Sequence, residues 1–388
     1  MAKLYDVLIL GATPAGYAAA AQLAGEKHDV VVIDAPPQDP AAAPAECPLT
    51  DWIPATLFSP RRGKAAVGAS PSLPRDADAE AFQAVRYHDA ALQRTAEFAL
   101  KEPAGYFVSP DALCQAMRNQ AVQAGATVRA TRNPVRIHPY EDHVDVVTTR
   151  PIHGRLLIVA HDTPEAILSR LGRGVRETSP AMTAVGLDVP LPTGRRKKSD
   201  AWTQPLRGAL HVMELPERSE LGLFFLAGAT LHLRVLSTSA AAGNRSAELT
   251  GMIQSLQKAK VLPGDLDFSR ARGAVWLPSA GAALEQETHE AKRCLLAGSA
   301  GGFADSVTGQ SIYPAVCSAL LAAATAHKAL ASKTPQETLM TFRDVWRKTL
   351  ADYLRPPNTS LAMLLPLLFV NEGVVEKFSR ALLFGEDI

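Results

Sequence analysis

A group of small residues near the start of the chain, Gly11, Thr13, Pro14, Ala15 and Gly16, has the types and spacing that hold a phosphate. It follows an apolar run at residues 7–10 and leads into an alanine-rich run at residues 15–24, while a second apolar run at residues 30–33 ends on Asp34. Strand, turn, helix, strand and acid in that order make a βαβ unit with its phosphate-binding turn after the first strand. Gly11 permits the tight turn and Gly16 lets helix and strand pack closely. The unpaired N–H groups at the helix start suit a pyrophosphate. Asp34 lies 34 − 11 = 23 residues beyond the first glycine, where a carboxylate accepts ribose hydroxyls. Thr13 stands where the middle glycine of such a turn is expected, which restricts how closely backbone and phosphate approach. The other reading of these residues is an ordinary βαβ unit whose glycines only turn the chain.

A second glycine-rich stretch, GSAGGFADSVTGQS, begins at Gly298, after an apolar run at residues 293–297 and before a helix of small residues at 312–331. Elsewhere the sequence excludes more than it offers. Cys47, Cys114, Cys294 and Cys317 show no CxxC spacing and the ten histidines no H-x-x-x-H pair. Neither a metal site nor a disulfide framework is expected, and a reducing, cytoplasmic compartment follows. A net charge of +1 argues against a nucleic-acid partner, and GRRKK at residues 194–198 reads as a solvated loop.

These residues need a scaffold to position them. At 388 residues and 47% apolar composition the chain exceeds one typical core, so two domains or one composite are expected. Residues 35–52 and 69–80, rich in Pro and Ala, read as long loops. Ser109 is a candidate N-cap for a helix over 111–124, closed by Gly125. Strands are expected at 126–130, 141–150 and 155–162, and a helix at 164–171. From 172 to 278 short β-type runs such as 221–227 and 231–236 predict a mostly antiparallel layer with one helix near 246–260. The tail is expected to be helical, with breaks at Pro356, Pro357 and Pro366. The apolar run at 361–370 is interrupted by Pro366 and too short to span a bilayer, so a buried tail helix or dimer seam explains it better than membrane contact.

With both glycine turns in hand, the chain resembles the single-Rossmann FAD flavoproteins, and within them the geranylgeranyl reductase branch related to aromatic hydroxylases. GATPAG at residues 11–16 is similar to that family's GAGPAG. GYFVSPDALCQAMRNQAVQAGA at 105–126 matches its middle segment, LIVAHDTPEAILSRLG at 157–172 its strand ending in an Asp-Gly motif, and GSAGGFADSVTGQSI at 298–312 its GDAAGFVDPLTGEGI. FSRALLFGEDI is similar to its closing helix. The resemblance implies an α/β fold: a Rossmann-like FAD-binding domain at 1–171 and 279–331, with residues 35–104 partly at the substrate side. It adds an inserted antiparallel β-sheet substrate domain at 172–278 and a helical tail at 332–388. It also implies roles. The first turn takes the pyrophosphate, Asp34 the adenosine ribose and Asp162 the pyrophosphate–ribityl region. Asp305, Gly309, Gln310, Ser311 and Ile312 lay backbone against the isoalloxazine, with the helix from Ile312 pointing its positive end at the flavin.

The departures from the family carry information too. Ser299 replaces the acid of the family's GD pair, Thr163 its glycine, Pro110 its arginine and Ser306 its proline. HVMELP at 211–216 stands where the reductases have Y-x-W-x-F-P, which makes His211, Met213 and Leu215 the expected pocket lining. Cys47 matches a flavin-proximal cysteine of archaeal members and is a candidate proton donor, or else an inert loop thiol. The expectation is an FAD-dependent oxidoreductase reducing a C=C bond of a small lipophilic or aromatic substrate. NAD(P)H or ferredoxin would dock transiently as electron donor, and the chain would be a monomer or homodimer. The alternatives are a flavin monooxygenase and a non-catalytic protein of the same fold with weakened FAD affinity.

Overall fold

The computed structural model describes residues 3–35, 43–58, 78–132, 135–161, 182–191, 201–215, 220–237, 245–356 and 361–386. Five strands form a parallel sheet in the order Thr127–Ala130, Val30–Asp34, Leu4–Leu10, Pro151–Val159, Cys294–Leu296. An antiparallel strand, Glu290–Ala291, lies at one edge, and a meander of Arg136–Pro139 and Val144–Val147 pairs with Pro151–Val159. The parallel strands read as continuous apolar runs because both faces are covered. Val7, Ile9, Val30, Val32, Leu156 and Ile158 meet the helices Pro14–Gly25, Pro110–Ala124 and Ile312–Ala331, hereafter the opening, middle and late helices. Leu8, Val31, Ile33, Leu157 and Val159 face the meander's Ile137, Val144 and Val146.

The late helix has the expected bounds and packs against the opening helix across small residues. It is long and apolar enough to cross a membrane, but it is mostly buried inside the molecule, as a core helix is. Ser109 caps the middle helix through Ala112 N–H, and Gly125 closes it in the left-handed conformation.

A second sheet has seven strands in the order Arg272–Trp276, Thr183–Pro190, Thr230–Ser237, Glu220–Ala227, Ala209–Glu214, Ala84–His88, Thr95–Ala99. It is antiparallel except where Ala209–Glu214 runs parallel to Ala84–His88. Its outer face packs under the helix Arg245–Lys258 through Met213, Phe224, Leu233, Leu249 and Met252. Its inner face, with Tyr87, Val212, Leu223 and Phe225, meets a small three-stranded sheet of Asp51–Pro54, Gly105–Val108 and Glu80–Phe82. The tail helix Glu372–Phe384 joins that inner layer, where Tyr87 Oη lies 2.8 Å from Ser379 Oγ. In the run at 361–370, Leu364, Leu365 and Leu368 are buried while Met363, Leu367 and Val370 are exposed.

Candidate functional site

The two glycine turns meet at the C-terminal end of the parallel sheet. Gly11 takes a φ of +127° and donates its N–H to Ile33 O at 3.1 Å. Thr13 is the N-cap of the opening helix: its Oγ1 accepts from Gly16 N–H at 3.2 Å and donates to Ala160 O at 2.7 Å. That second bond ties the turn to the end of the neighbouring strand, just before Asp162 and Thr163, which lie outside the described residues. The N–H groups of Ala12, Thr13 and Ala15 have no acceptor among the described residues, and Pro14 has no N–H to satisfy. Unpaired donors clustered at a helix N-terminus suit an anion. Asp34 ends the next strand with its carboxylate exposed. Cys114 of the middle helix closes the side of the turn by donating to Ala12 O at 3.2 Å, and burial pushes its thiol up to about 12.

The late turn starts beside the first one. A Cβ on Gly298 would lie 3.5 Å from Ala15 Cβ and 3.6 Å from Ala160 O, so the two turns are in contact. Ser299 Oγ, next along, is buried with no hydrogen-bond partner among the described residues. A buried hydroxyl left unpaired is costly, so a water or ligand oxygen placed against it would be stabilising. The segment then crosses to the second sheet, where Gly309 packs against Met182 and Pro278. Asp305 holds this crossing rigid: its carboxylate accepts from Val307 N–H and from both N–H and Oγ1 of Thr308, and its N–H donates to Gln310 O at 2.9 Å. Burial raises the Asp305 pKa, and those hydrogen bonds oppose the rise.

Gln310 is not free to meet a ligand. Its Nε2 donates to Trp52 O at 2.9 Å and its Oε1 accepts from Tyr313 N–H at 3.0 Å, so the side chain caps the late helix from within. Pro314 supplies no N–H, which leaves those of Ser311 and Ile312 as the donors at that helix end without an acceptor among the described residues.

His211, Met213 and Leu215 fall elsewhere than expected. Side chains alternate along a strand, and this register turns all three to the outer face, under the helix Arg245–Lys258. Leu210 and Val212, the residues between them, face the inner layer instead. His211 stacks on His88 with ring centroids 5.2 Å apart, and Nε2 of His88 lies 2.9 Å from its Nδ1. Burial lowers both pKa values, His88 to about 4, so the pair is neutral.

Cys47 sits in the inner layer with Trp52, Phe82 and Met182 and donates to Leu49 O at 3.5 Å. Burial chiefly, with Asp51 beside it, pushes its thiol up to about 12. Nearby is a group of charges that alternation alone assigns to a solvent face. Arg234, 1% exposed, donates through Nη2 to Asp188 Oδ1 at 2.7 Å and to Thr50 O at 2.6 Å, and through Nη1 to Leu187 O and Leu233 O. Asp188 also accepts from Thr50 N–H at 3.2 Å and lies 2.8 Å from His232 Nδ1. Burial pushes the Asp188 carboxyl up, but His232 and Arg234 together hold it below the ordinary range.

Asp51 follows Thr50, and burial raises its pKa from 3.8 to about 6 against the pull of Arg234. An acid whose folded pKa is raised binds more protons in the native than in the unfolded chain between those two values. Stability therefore falls as pH rises from about 4 to 6. The expected loss is on the order of 1–2 kcal/mol, because Asp51's partial exposure reduces the roughly 3 kcal/mol that a hundredfold change in proton affinity represents. Urea midpoints between pH 4 and 7 should show this slope in the wild type and lose it in Asp51→Asn; an unchanged slope in the variant would assign it to another group.

No protein-family model and no curated protein matches the sequence. Solved structures do match the fold. A geranylgeranyl bacteriochlorophyll reductase-like protein of Thermoplasma acidophilum superposes with a TM-score of 0.71 over 98% of this chain and 96% of its own, at 14% identity. The flavin-dependent halogenase CmlS gives 0.65 over 98% and 72% at 17% identity. P. aeruginosa PqsL, in complex with 2-aminobenzoylacetate, gives 0.62 over 96% and 100% at 17% identity. The chain thus has the mixed α/β fold of these proteins along nearly its whole length, the C-terminal helices included.

Proposed function

We propose that the protein is an FAD-dependent oxidoreductase whose cofactor lies along the groove between the two glycine turns. The observation that carries this reading is the pairing of the three unpartnered N–H groups at Ala12, Thr13 and Ala15 with the orphaned Ser299 hydroxyl beside them. The first three hold a pyrophosphate, Ser299 hydrogen-bonds the ribityl chain, and Asp34 accepts the adenosine ribose hydroxyls. Ser311 and Ile312 N–H are left for the pyrimidine edge of the ring. When bound, the flavin supplies hydride transfer.

The finer part of the proposal is reduction of a C=C bond in a small lipophilic substrate. The layer between the late turn and the second sheet is apolar, with Trp52, Phe82, Phe107, Val212 and Phe225 packed in its core, so a substrate admitted beside it would be lipophilic. Reduction needs a proton for the carbon that does not receive the hydride. Asp51, raised to about 6, keeps its proton to higher pH than an ordinary carboxyl and is the better candidate donor below neutral pH, whereas Cys47 at about 12 holds its proton too tightly. An external donor such as NAD(P)H or ferredoxin supplies the electrons by transient docking. Anaerobic turnover of isoprenoid alkenes with chemically reduced FAD tests this: a product two hydrogens heavier supports it, while peroxide or a hydroxylated product in air favours a monooxygenase.

A second reading, a binding protein with weakened FAD affinity, draws on the Thr13 hydroxyl and the Gln310 amide, each of which takes a helix-end N–H for itself. FAD titration separates the two readings, and Ser299→Ala sharpens it. Removing an orphaned buried hydroxyl leaves the FAD-free protein as stable as before or slightly more so. Losing its bond to the cofactor weakens FAD binding roughly five-fold, about 1 kcal/mol. A wild-type protein whose unfolding midpoint does not move in FAD would sink the cofactor assignment.

A further inference from the structure

The meander on the far face of the parallel sheet carries side chains that the cofactor groove does not use. Val144 and Val146 point into the core, which turns Asp145 outward. The strand register sets His153 directly opposite Asp145 on one flank and His138 on the other, and His143 lies two residues before Asp145. Directly opposed residues have Cβ atoms about 4.5–5.5 Å apart, close enough to share one ion. Asp145 Oδ1 is 2.6 Å from His153 Nδ1 and 3.4 Å from His143 Nε2. One ligand atom from each of the three residues falls within a 4.8 Å set.

The surroundings of His143 aim its ring at this cluster. Its Nδ1 lies 2.7 Å from Asp142 Oδ1, and Tyr140 stacks on the ring at 4.5 Å, so the ring is oriented from behind. A carboxylate behind one ring nitrogen, with the other nitrogen turned to Asp145 and His153, is how metal-binding histidines are arranged.

We propose that His143, Asp145 and His153 bind a divalent transition-metal ion of the zinc, copper or nickel class, with the exposed His138 turning in as a fourth ligand. Two or three imidazole nitrogens and one carboxylate suit those borderline ions in four-coordinate geometry, and they are too few oxygens for calcium or magnesium. The ion would pin three adjacent strands together from the solvent side. His153 also lines a cleft of about 430 Å³ with Lys3, Arg129 and Arg150, so the site opens on a volume that admits water or a small anion.

The test uses untagged full-length protein stripped with chelator, titrated with Zn²⁺ by calorimetry and with Co²⁺ by visible absorption. One ion per chain is expected, with the intense bands of four-coordinate cobalt and a raised unfolding midpoint. His143→Gln and His153→Gln should each weaken binding at least roughly ten-fold, and Asp142→Asn by about ten-fold through loss of ring orientation. These side chains lie on the solvent side, so the metal-free midpoints should stay at the wild-type value. Glu26, His28 and His327 form another group with metal-ligand spacing, and His327→Gln is the control that should leave the tight site intact. Unchanged affinity in the His143→Gln/His153→Gln double variant, or no binding at about 100 µM Zn²⁺, would overturn the proposal.

Discussion

Gly16→Ala is expected to destabilise the protein by about 3 kcal/mol or more and, under the proposed function, to abolish FAD binding. A Cβ at this position would stand 2.0 Å from Gly11 O and 3.4 Å from Ile9 Cγ2. The near neighbour is backbone, so no rotamer relieves the overlap; the turn itself must move. Moving it displaces the Ala12 and Thr13 N–H groups and breaks the Gly16 N–H bond to Thr13 Oγ1. Gly25→Ala is the matched control in the last turn of the same helix, with nothing within 4 Å of the added carbon. There the substitution should be neutral or stabilise by about 0.5–1 kcal/mol. Urea denaturation and FAD titration of both variants give the comparison, and equal midpoints would mean that the turn has slack the packing does not suggest.

What the sequence made legible was local. Strand, turn and helix at residues 4–25 are set by neighbours in the chain, and so is the late helix, Ile312–Ala331, whose apolar run is long enough to fix both ends. The expected helix near 246–260 and the strand pair Glu220–Ala227 and Thr230–Ser237 are of the same kind. The strand Ala84–His88 was hidden because its partner, Ala209–Met213, lies 209 − 84 = 125 residues away and runs parallel. Nothing near residue 84 announces that pairing.

The candidate site divided along the same line. Positions fixed by the two turns came together, whereas His211, Met213 and Leu215 depended on which face of a strand is inside. A period of two cannot answer that when both faces are covered. For the same reason His232 and Arg234, alternating with Leu231, Leu233 and Val235, carried no sign that their side would be buried.

Those buried charges connect the second sheet to the N-terminus of the late helix through a continuous set of hydrogen bonds. Arg234 and Asp188 grip Thr50 by its carbonyl and its N–H. Two residues on, Trp52 O holds Gln310, and Gln310 caps the late helix at Tyr313. The position of the late helix's N-terminus therefore depends on a guanidinium in another sheet. Arg234 also lies over the Trp276 ring at 5.8 Å, so its removal takes away packing as well as charge.

Arg234→Leu is accordingly expected to cost about 3–5 kcal/mol at pH 8, the usual range when one partner of a buried pair is removed. The carboxylate of Asp188 is left with Thr50 N–H and a neutral His232. Its deficit should shrink as the solution is acidified. Burial lowers the pKa of His232, the Asp188 bond raises it, and the charge of Arg234 lowers it further. Without that charge, His232 takes up a proton at higher pH in the folded variant than in the folded wild type. Asp51, which Arg234 also holds down, changes in the same direction. The folded variant thus binds more protons than the folded wild type, so its relative stability rises as pH falls. At pH 5.5 the gap to wild type should be smaller by about 1 kcal/mol or more, since a tenfold change in proton affinity is worth about 1.4 kcal/mol. Unfolding free energies at the two pH values decide this. A deficit of equal size at both would remove His232 and Asp51 from the account, and a variant as stable as wild type at pH 8 would show that Thr50 is held in place by something other than this clamp.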